Sequence, residues 1–162
     1  MILAIESVLL CLIFTLMIFR ISKDPVRMLY DYPPAIQERV KSLDAYRDRI
    51  PSQKNKIAAK LTASVLFVIL VSLILRFVNG YTAFWQALGC GFLLWTVVNL
   101  YDFVVLDVIW FCHDPRFVIK GTEDMVRDYR DYWFHFRGFL TGEAIGLLVC
   151  SAAALIVSFV YR

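Results

Sequence analysis

The chain has 162 residues, of which 60% are hydrophobic, and its mean hydropathy is +0.65. Soluble domains are about 45–50% apolar, so a soluble protein of this size is excluded and we expect the excess apolar surface to face lipid. The net charge of +3 gives no indication of a nucleic-acid partner.

Four apolar segments follow one another along the chain. Residues 2–19 form the first, which lacks the basic start and the small-residue cleavage site of a signal peptide. The others cover residues 61–78, residues 82–102 with a continuation to 112, and residues 139–160. Because a transmembrane helix needs about 20 apolar residues, we predict an all-α, polytopic integral membrane protein whose single domain, residues 1–162, contains four transmembrane helices. Asn79-Gly80 predicts a tight turn between the second and third helices.

Basic residues are concentrated in two segments. Ten of the 17 Lys and Arg residues lie between positions 20 and 60, and five more lie between 116 and 137. The positive-inside rule therefore predicts that the loops 20–60 and 113–138 are cytoplasmic and that both termini are non-cytoplasmic, in a plasma or inner membrane. Glu6 and Arg76 lie near the predicted outer ends of the first two spans, where they either pair or reach the interface separately.

Each long loop contains an amphipathic segment. Four apolar residues recur at helical spacing between Pro34 and Pro51, namely Ile36, Val40, Leu43 and Ile50. They predict a helix that lies on the inner leaflet or packs beneath the bundle. In the second loop, Thr122 is expected to cap an aromatic-rich helix, which ends where Gly138 turns the chain into the fourth span. Its aromatic residues are expected at the membrane–water boundary or, alternatively, in the wall of a pocket.

The end of the third span contains several polar residues within an otherwise apolar segment: residues 99–114 read NLYDFVVLDVIWFCHD. At about 100° per residue, Asn99, Asp102 and His113 share one stripe of an α-helix, and Asp107 lies to its side. A rise of 1.5 Å per residue puts Asp102 about 30 Å from Thr82, near the inner boundary of a bilayer. Glu143, in the fourth span, is expected at a similar depth.

These positions predict a polar cavity that opens to the cytoplasm. Its candidate ligand-binding residues are Asn99, Asp102, Asp107, His113, His135, Arg137 and Glu143. The cofactor is not specified by the sequence, but a divalent cation is one candidate, with Asp102, Glu143 and His113 as its ligands. Alternatively, Asp102 or Glu143 pairs with Arg137 or Arg116 and holds the bundle together.

Small residues recur at every fourth position of the last span: Gly142, Gly146, Cys150 and Ala154. This spacing predicts a close helix-packing face, whose partner is another span or a second copy of the chain. A homo-oligomer or a larger membrane complex is therefore expected beside the lipid bilayer itself. Cys11, Cys90, Cys112 and Cys150 all lie in apolar runs, as buried free cysteines do.

Two segments resemble known families without carrying a complete motif. Residues 113–121, HDPRFVIKG, faintly resemble the basic-His-Pro-x-aromatic-x-Gly motif of membrane isoprenylcysteine-type methyltransferases, but Asp114 separates His113 from Pro115 and Gly121 is displaced. The predicted topology resembles that of the small four-helix glutathione-handling membrane enzymes, whose Arg- and Asn-containing motif is missing here. We therefore assign no family.

Two functions fit these features. The first is a small membrane protein that binds a polar ligand, a lipid headgroup or a cation at the cytoplasmic face, either alone or as an accessory subunit of a larger complex. The alternative is a membrane-embedded enzyme that acts on an amphipathic, lipid- or isoprenoid-like substrate from the inner leaflet. A transporter is disfavoured because the first, second and fourth spans have no acid or base near the midplane.

Overall fold

The computed structural model describes residues 2–160, apart from the side chains at 55, 56, 59 and 60. Within this part of the chain every regular element is a helix. Four of the helices are long and apolar enough to cross a membrane. The prediction of an all-α chain with four helices of membrane-spanning length is therefore confirmed.

Six α-helices follow one another within residues 2–160. They are α1 (Ile2–Ile21), α2 (Pro34–Ser42), α3 (Gln53–Leu73), α4 (Phe84–Tyr101), α5 (Val126–Tyr129) and α6 (Tyr132–Phe159). Two of them continue as wider π-helical segments: α3 through Ile74–Val78 and α4 through Asp102–Phe111. Short 3₁₀ helices occur at Pro25–Asp31, Asp44–Tyr46 and Pro115–Phe117.

The four long helices form a bundle with two distinct ends. One end carries the start of α1, the end of α6 and the turn between α3 and α4; we call it the terminal end. The other carries the two long connections, and we call it the loop end. α4 packs most extensively against α6, and the bundle core contains Val71, Leu75, Ala87, Cys90, Ala153, Ala154 and Val157.

Most of the outer surface of the bundle is apolar. α1 has no buried residue and is joined to α4 by a hydrogen bond of 2.8 Å between the hydroxyls of Thr15 and Tyr101. Leu16 is 64% exposed and Leu148 is 72% exposed. A continuous apolar surface of this kind is typical of helices that contact lipid or other helices.

The two long connections build a second core at the loop end. Leu29, Tyr32, Ile36, Val40, Phe117 and Ile119 are almost completely buried in it. The Tyr32 hydroxyl donates a hydrogen bond of 3.0 Å to the Phe117 carbonyl oxygen, and burial raises the pKa of this phenol above its usual value. Since Ile36 and Val40 belong to this core, α2 is packed against the protein, which is one of the two predicted positions.

Both loop helices differ in extent from the predictions. The helix predicted to reach Pro51 ends at Ser42, because Leu43 adopts an extended backbone conformation. Thr122 does not cap a helix: it is buried, donates to the Ile119 carbonyl oxygen and shares a hydrogen bond with Tyr129.

The fourth long helix begins earlier than predicted. Asp131 caps α6, since its carboxylate accepts a hydrogen bond of 2.9 Å from the Phe134 amide. From Tyr132 the helix continues through Gly138 without a turn. The aromatic residues after Asp131 are therefore the first turns of the long helix, and the predicted break at Gly138 is wrong.

The turn between α3 and α4 has the predicted Asn-Gly geometry. Gly80 has φ = +70°, a conformation that glycine adopts without strain. The Asn79 side-chain amide donates to both carboxylate oxygens of Glu6, at 3.1 and 3.2 Å. Glu6 thus pairs with Asn79, and the suggested ion pair with Arg76 is not formed.

Candidate functional site

The polar end of α4 is π-helical. Over Asp102–Phe111 the backbone hydrogen bonds span five residues, and the last of them joins the Cys112 amide to the Asp107 carbonyl oxygen at 3.0 Å. An α-helix separates residues five apart by about 140°, whereas the wider π-helical turn brings them close to one face. Asp107 therefore lines the same space as Asp102, although α-helical spacing predicted it to the side.

A cavity of about 480 Å³ lies at the loop end of the bundle. It is enclosed by α1, the 3₁₀ helix Pro25–Asp31, the π-helical segment and the first turns of α6. Four predicted residues line it together: Asn99, Asp102, Asp107 and His135. Seven further lining residues are aromatic, namely Phe14, Tyr30, Phe103, Phe111, Phe117, Phe134 and Phe139. The structure thus combines acidic and aromatic side chains around one partly enclosed space, which we call the acidic cavity.

His135 is the most deeply buried polar residue of the acidic cavity. Its side chain is only 3% exposed, and its Nδ1 lies 3.2 Å from a carboxylate oxygen of Asp107. Its Nε2 is buried and has no hydrogen-bond partner among the described residues. Buried polar atoms are normally hydrogen-bonded, so this nitrogen lacks a partner that the described residues do not supply.

Asp102 is half-buried in the cavity wall. No group in the described part of the chain donates a hydrogen bond to its carboxylate. The third acid in the wall is Asp31, from the 3₁₀ helix, and none of the lining residues that the structure describes is Lys or Arg. Asp102 and Asp107 therefore bring two carboxylates to a wall whose described residues include no permanent cation.

Glu143 is close to the acidic cavity but does not line it. Its carboxylate accepts hydrogen bonds of 2.8 Å from Thr96 Oγ1 and from Asn99 Nδ2. Asn99 Nδ2 also donates to the Phe139 carbonyl oxygen at 3.0 Å. Glu143 thus joins α6 to α4 through neutral partners and orients Asn99, and the predicted alternative of an ion pair with Arg137 or Arg116 is wrong for this residue.

His113 lies outside the acidic cavity. It is exposed, its Nδ1 is 3.0 Å from the Val108 carbonyl oxygen, and it lines a separate open groove of about 730 Å³ with Trp110 and Arg116. In that groove Arg116 binds Asp114 at 2.6 Å and holds the pKa of this carboxyl far below its ordinary value through hydrogen bonding. His113 is displaced from the predicted stripe because ten π-helical residues intervene.

Arg137 is also separate from the predicted site. It is exposed on α6 and lines neither the acidic cavity nor the groove. Its neighbour Gly138 does line the cavity. Residues 137 and 138 project about 100° apart on an α-helix, which explains why only one of them reaches the space.

The predicted metal ligands Asp102, Glu143 and His113 are not brought together. Among the described residues, no three His, Cys, Asp or Glu side chains are arranged to hold a metal ion. Glu143 is held by Thr96 and Asn99, and His113 lines the other groove. This set of ligands is therefore withdrawn.

The small residues of α6 pack against α4 of the same chain. Trp95 Nε1 donates a hydrogen bond of 3.0 Å to the Gly142 carbonyl oxygen. A Cβ atom at Gly146 would overlap the Trp95 indole, and one at Gly142 would lie 2.5 Å from Asn99 Oδ1. Cys150 and Ala154 are completely buried. The stripe is thus used within the chain, and association with a second copy stays a prediction.

Two parts of the site were absent from the predictions. Thr96 precedes Asn99 by three residues, a spacing that puts both on one face of a helix, so the polar contact with Glu143 had a detectable signal. Asp31 had none, because it lies in a short 3₁₀ helix without apolar periodicity.

Comparison with protein-family models, with curated proteins and with solved structures finds no match. The fold and the site by themselves define a small all-helical protein with four helices of membrane-spanning length and an acidic, aromatic-lined cavity at one end of the bundle.

Proposed function

We propose that this chain is an integral membrane protein that binds a small polar ligand, a lipid headgroup or a cation in the acidic cavity. The observation that carries the proposal is the partly enclosed space of about 480 Å³ that Asp102, Asp107 and His135 line together, with the His135 Nε2 buried and unpartnered among the described residues. Ligand pockets are typically about 300–1,000 Å³, mostly apolar, and contain a few convergent polar groups.

The cavity faces the cytoplasmic side in this proposal. Fifteen of the 17 basic residues lie between positions 20 and 60 or between 116 and 137. These ranges comprise the two long connections at the loop end, next to the cavity, and the adjoining helix ends. The positive-inside rule assigns such segments to the cytoplasm. A ligand then enters from the cytoplasm or from the inner leaflet, and the chain acts alone or as the ligand-binding subunit of a larger membrane complex.

A cavity-filling variant tests the proposal. Gly138 lines the cavity and a Cβ atom there meets nothing within 4 Å, so Gly138→Leu adds a bulky side chain at the wall whose Cβ has room. Gly89→Leu is the matched control, because Gly89 is also helical and open but lines no described cavity. Both changes replace a helical glycine, which favours the helix by up to about 1 kcal/mol.

The readout is thermal unfolding of the purified protein in a neutral detergent, screened against divalent cations, lipid headgroups, nucleotides, and thiol and methyl-donor cofactors. A ligand that prefers the folded state raises the unfolding temperature. We expect at least one compound to stabilise the unchanged protein and Gly89→Leu but not Gly138→Leu. Equal stabilisation of all three proteins, or no stabilisation by any compound, would contradict a ligand site in this cavity.

One observation favours the alternative, a membrane-embedded enzyme that acts on an amphipathic substrate. A histidine whose Nδ1 faces a carboxylate and whose Nε2 is unpartnered has the arrangement of a general base. Incubation with inner-leaflet lipids, followed by mass spectrometry, tests this function. Conversion of a lipid that is lost in His135→Gln while ligand stabilisation is retained would favour the enzyme.

A further inference from the structure

We propose that the group bound in the acidic cavity is an organic ammonium ion, either the headgroup of an amphiphile or a free amine; this inference rests on the proposed function. The acidic residues, the aromatic wall and the unpartnered histidine nitrogen each limit the ligand's chemistry in a different way. Together they favour a cation that is too large and too weakly hydrated to be a metal ion.

The charge of the wall selects the sign of the ligand. Asp102 and Asp107 line one cavity, and no described residue of its wall is Lys or Arg. Two carboxylates in a confined, weakly screened space repel each other, and a cation between them removes this repulsion. An anionic ligand, such as a phosphate or a carboxylate, would increase it.

The aromatic residues separate an organic cation from a metal ion. Seven of the sixteen lining residues are Phe or Tyr. Aromatic faces attract ammonium groups, most strongly when the cation is desolvated. A hard divalent cation needs about six oxygen ligands, and the described residues provide no three-ligand group for a metal ion.

His135 is the independent observation that points to a bound group. Since Nδ1 faces the Asp107 carboxylate, that nitrogen carries the proton in the neutral ring and Nε2 is left as an acceptor. Nε2 is buried and accepts from no described residue. An N–H of a primary ammonium would satisfy it, whereas a quaternary ammonium has no N–H to donate.

The apolar wall leaves room for a short hydrocarbon chain. Phe14 and Ile18 of α1 and Phe139 of α6 line the cavity on its bundle side. These helices present apolar surface outside the cavity as well, with Ile13 and Leu140 both about half exposed. The first methylenes of an amphiphile can thus lie between α1 and α6.

The test uses four probes with the same hexyl chain: hexylammonium, hexyltrimethylammonium, hexyl sulfate and hexanol. Binding is measured by calorimetry on the full chain in maltoside detergent. We expect both ammonium probes to bind, and Asp102→Asn and Asp107→Asn each to weaken this binding at least tenfold. Asp48→Asn, which changes an exposed loop acid, should leave it unchanged.

Far-UV circular dichroism and gel filtration identify any variant that fails to fold. If an Asp variant does not fold, Gly138→Leu provides the test, because it retains both acids.

Each outcome distinguishes the inference from the proposed function. Suppose that hexyl sulfate or hexanol binds, that neither ammonium probe does, and that Gly138→Leu abolishes the binding. This result would overturn the inference that the ligand is an organic cation and would leave the proposed binding function intact. Failure of all four probes to bind would overturn the inference, while the broader screen decides the function separately. Binding of the ammonium probes that is insensitive to both Asp substitutions would also overturn the inference.

Two further comparisons identify the source of the ammonium group once the hexyl cations bind. Tetramethylammonium that binds as tightly as hexyltrimethylammonium supports a free amine, and much weaker binding supports an amphiphile headgroup. If Nε2 accepts the ligand N–H, His135→Phe should weaken hexylammonium more than hexyltrimethylammonium.

Discussion

Two glycines allow α4 and α6 to approach closely enough for a hydrogen bond between Trp95 and the α6 backbone. Gly142 supplies the carbonyl oxygen, and the Gly146 Cα lies against the indole ring. Any side chain at position 146 needs space that Trp95 occupies. The small-residue stripe therefore determines the distance between the two helices that hold Asn99 and Glu143.

Gly146→Ala should destabilise the protein by about 1–3 kcal/mol, because an added methyl group forces Trp95 or α6 to move. Unfolding with denaturant in mixed micelles measures the change. Gly89→Ala is the control: its Cβ meets open space, and the variant should gain up to about 1 kcal/mol from helix propensity. Equal stabilities of the two variants would show that the contact between Trp95 and Gly146 is not tight.

At the level of single residues, the sequence predicts those side chains whose positions follow from an ordinary α-helix. Asn99 lies on α4 and Asp102 directly after it, and both line the cavity. Asp107 lies within the π-helical segment and His113 follows it. The α-helical angle of 100° per residue therefore predicted the wrong direction for both side chains. The positions of Asp31 and the aromatic lining depend on how the two loops pack in the folded chain. Helical periodicity in the sequence does not predict this packing.

The π-helical segment changes the site at the level of the element. It turns the end of α4 so that acids five residues apart share one cavity, and π-helical turns are frequently found at functional sites. No residue in DFVVLDVIWF signals this geometry, since eight of its ten residues are apolar and do not mark one helical face. The sequence could predict that this stretch is helical, but not which way its side chains point.

α6 is the second element that defines the cavity, and Asp131 fixes where it begins. Gly138 was expected to interrupt the helix, but an isolated helical glycine costs only about 1 kcal/mol. The packing of the flanking residues His135 and Phe139 at the cavity offsets this cost. A weak local preference was thus overridden by tertiary contacts.

Asp131→Ala should reduce stability by about 1 kcal/mol, because the Phe134 amide loses its side-chain acceptor at the start of α6. Asp131→Asn should retain most of the stability, since asparagine caps helices equally well. Hydrogen exchange of the amides at 132–135 locates the effect, and we expect faster exchange in the alanine variant alone. Unchanged exchange there would mean that packing, not the cap, holds the first turn that carries His135.

The molecule as a whole consists of an apolar bundle and a second core at the loop end. These two layers could be anticipated from composition and from the amphipathic pattern of α2, since Ile36 and Val40 mark its buried face. The predicted orientation depends on the distribution of Lys and Arg. This orientation therefore has to be tested by an experiment that reports which side of the membrane each end of the bundle faces.

Single cysteines introduced at opposite ends of the bundle test this orientation. Asp48 lies in the first connection and Thr82 in the turn between α3 and α4, and both are exposed. A membrane-impermeant maleimide should label Thr82→Cys in intact cells, but Asp48→Cys only after permeabilisation. The unchanged chain is the background control: Cys90, Cys112 and Cys150 are buried, and any labelling of the half-buried Cys11 is measured in it. The reverse labelling pattern would invert the topology and place the acidic cavity on the other face.

α1 supplies part of the cavity wall through Phe14 and Ile18, yet it has no buried residue of its own. In a bilayer, its tilt would then be set largely by the match between its 20 residues and the local hydrocarbon thickness. Short-chain lipids should tilt this helix more strongly and shift the two side chains relative to Asp102. The affinity of the cavity would consequently depend on lipid chain length, even for a ligand that never touches an acyl chain.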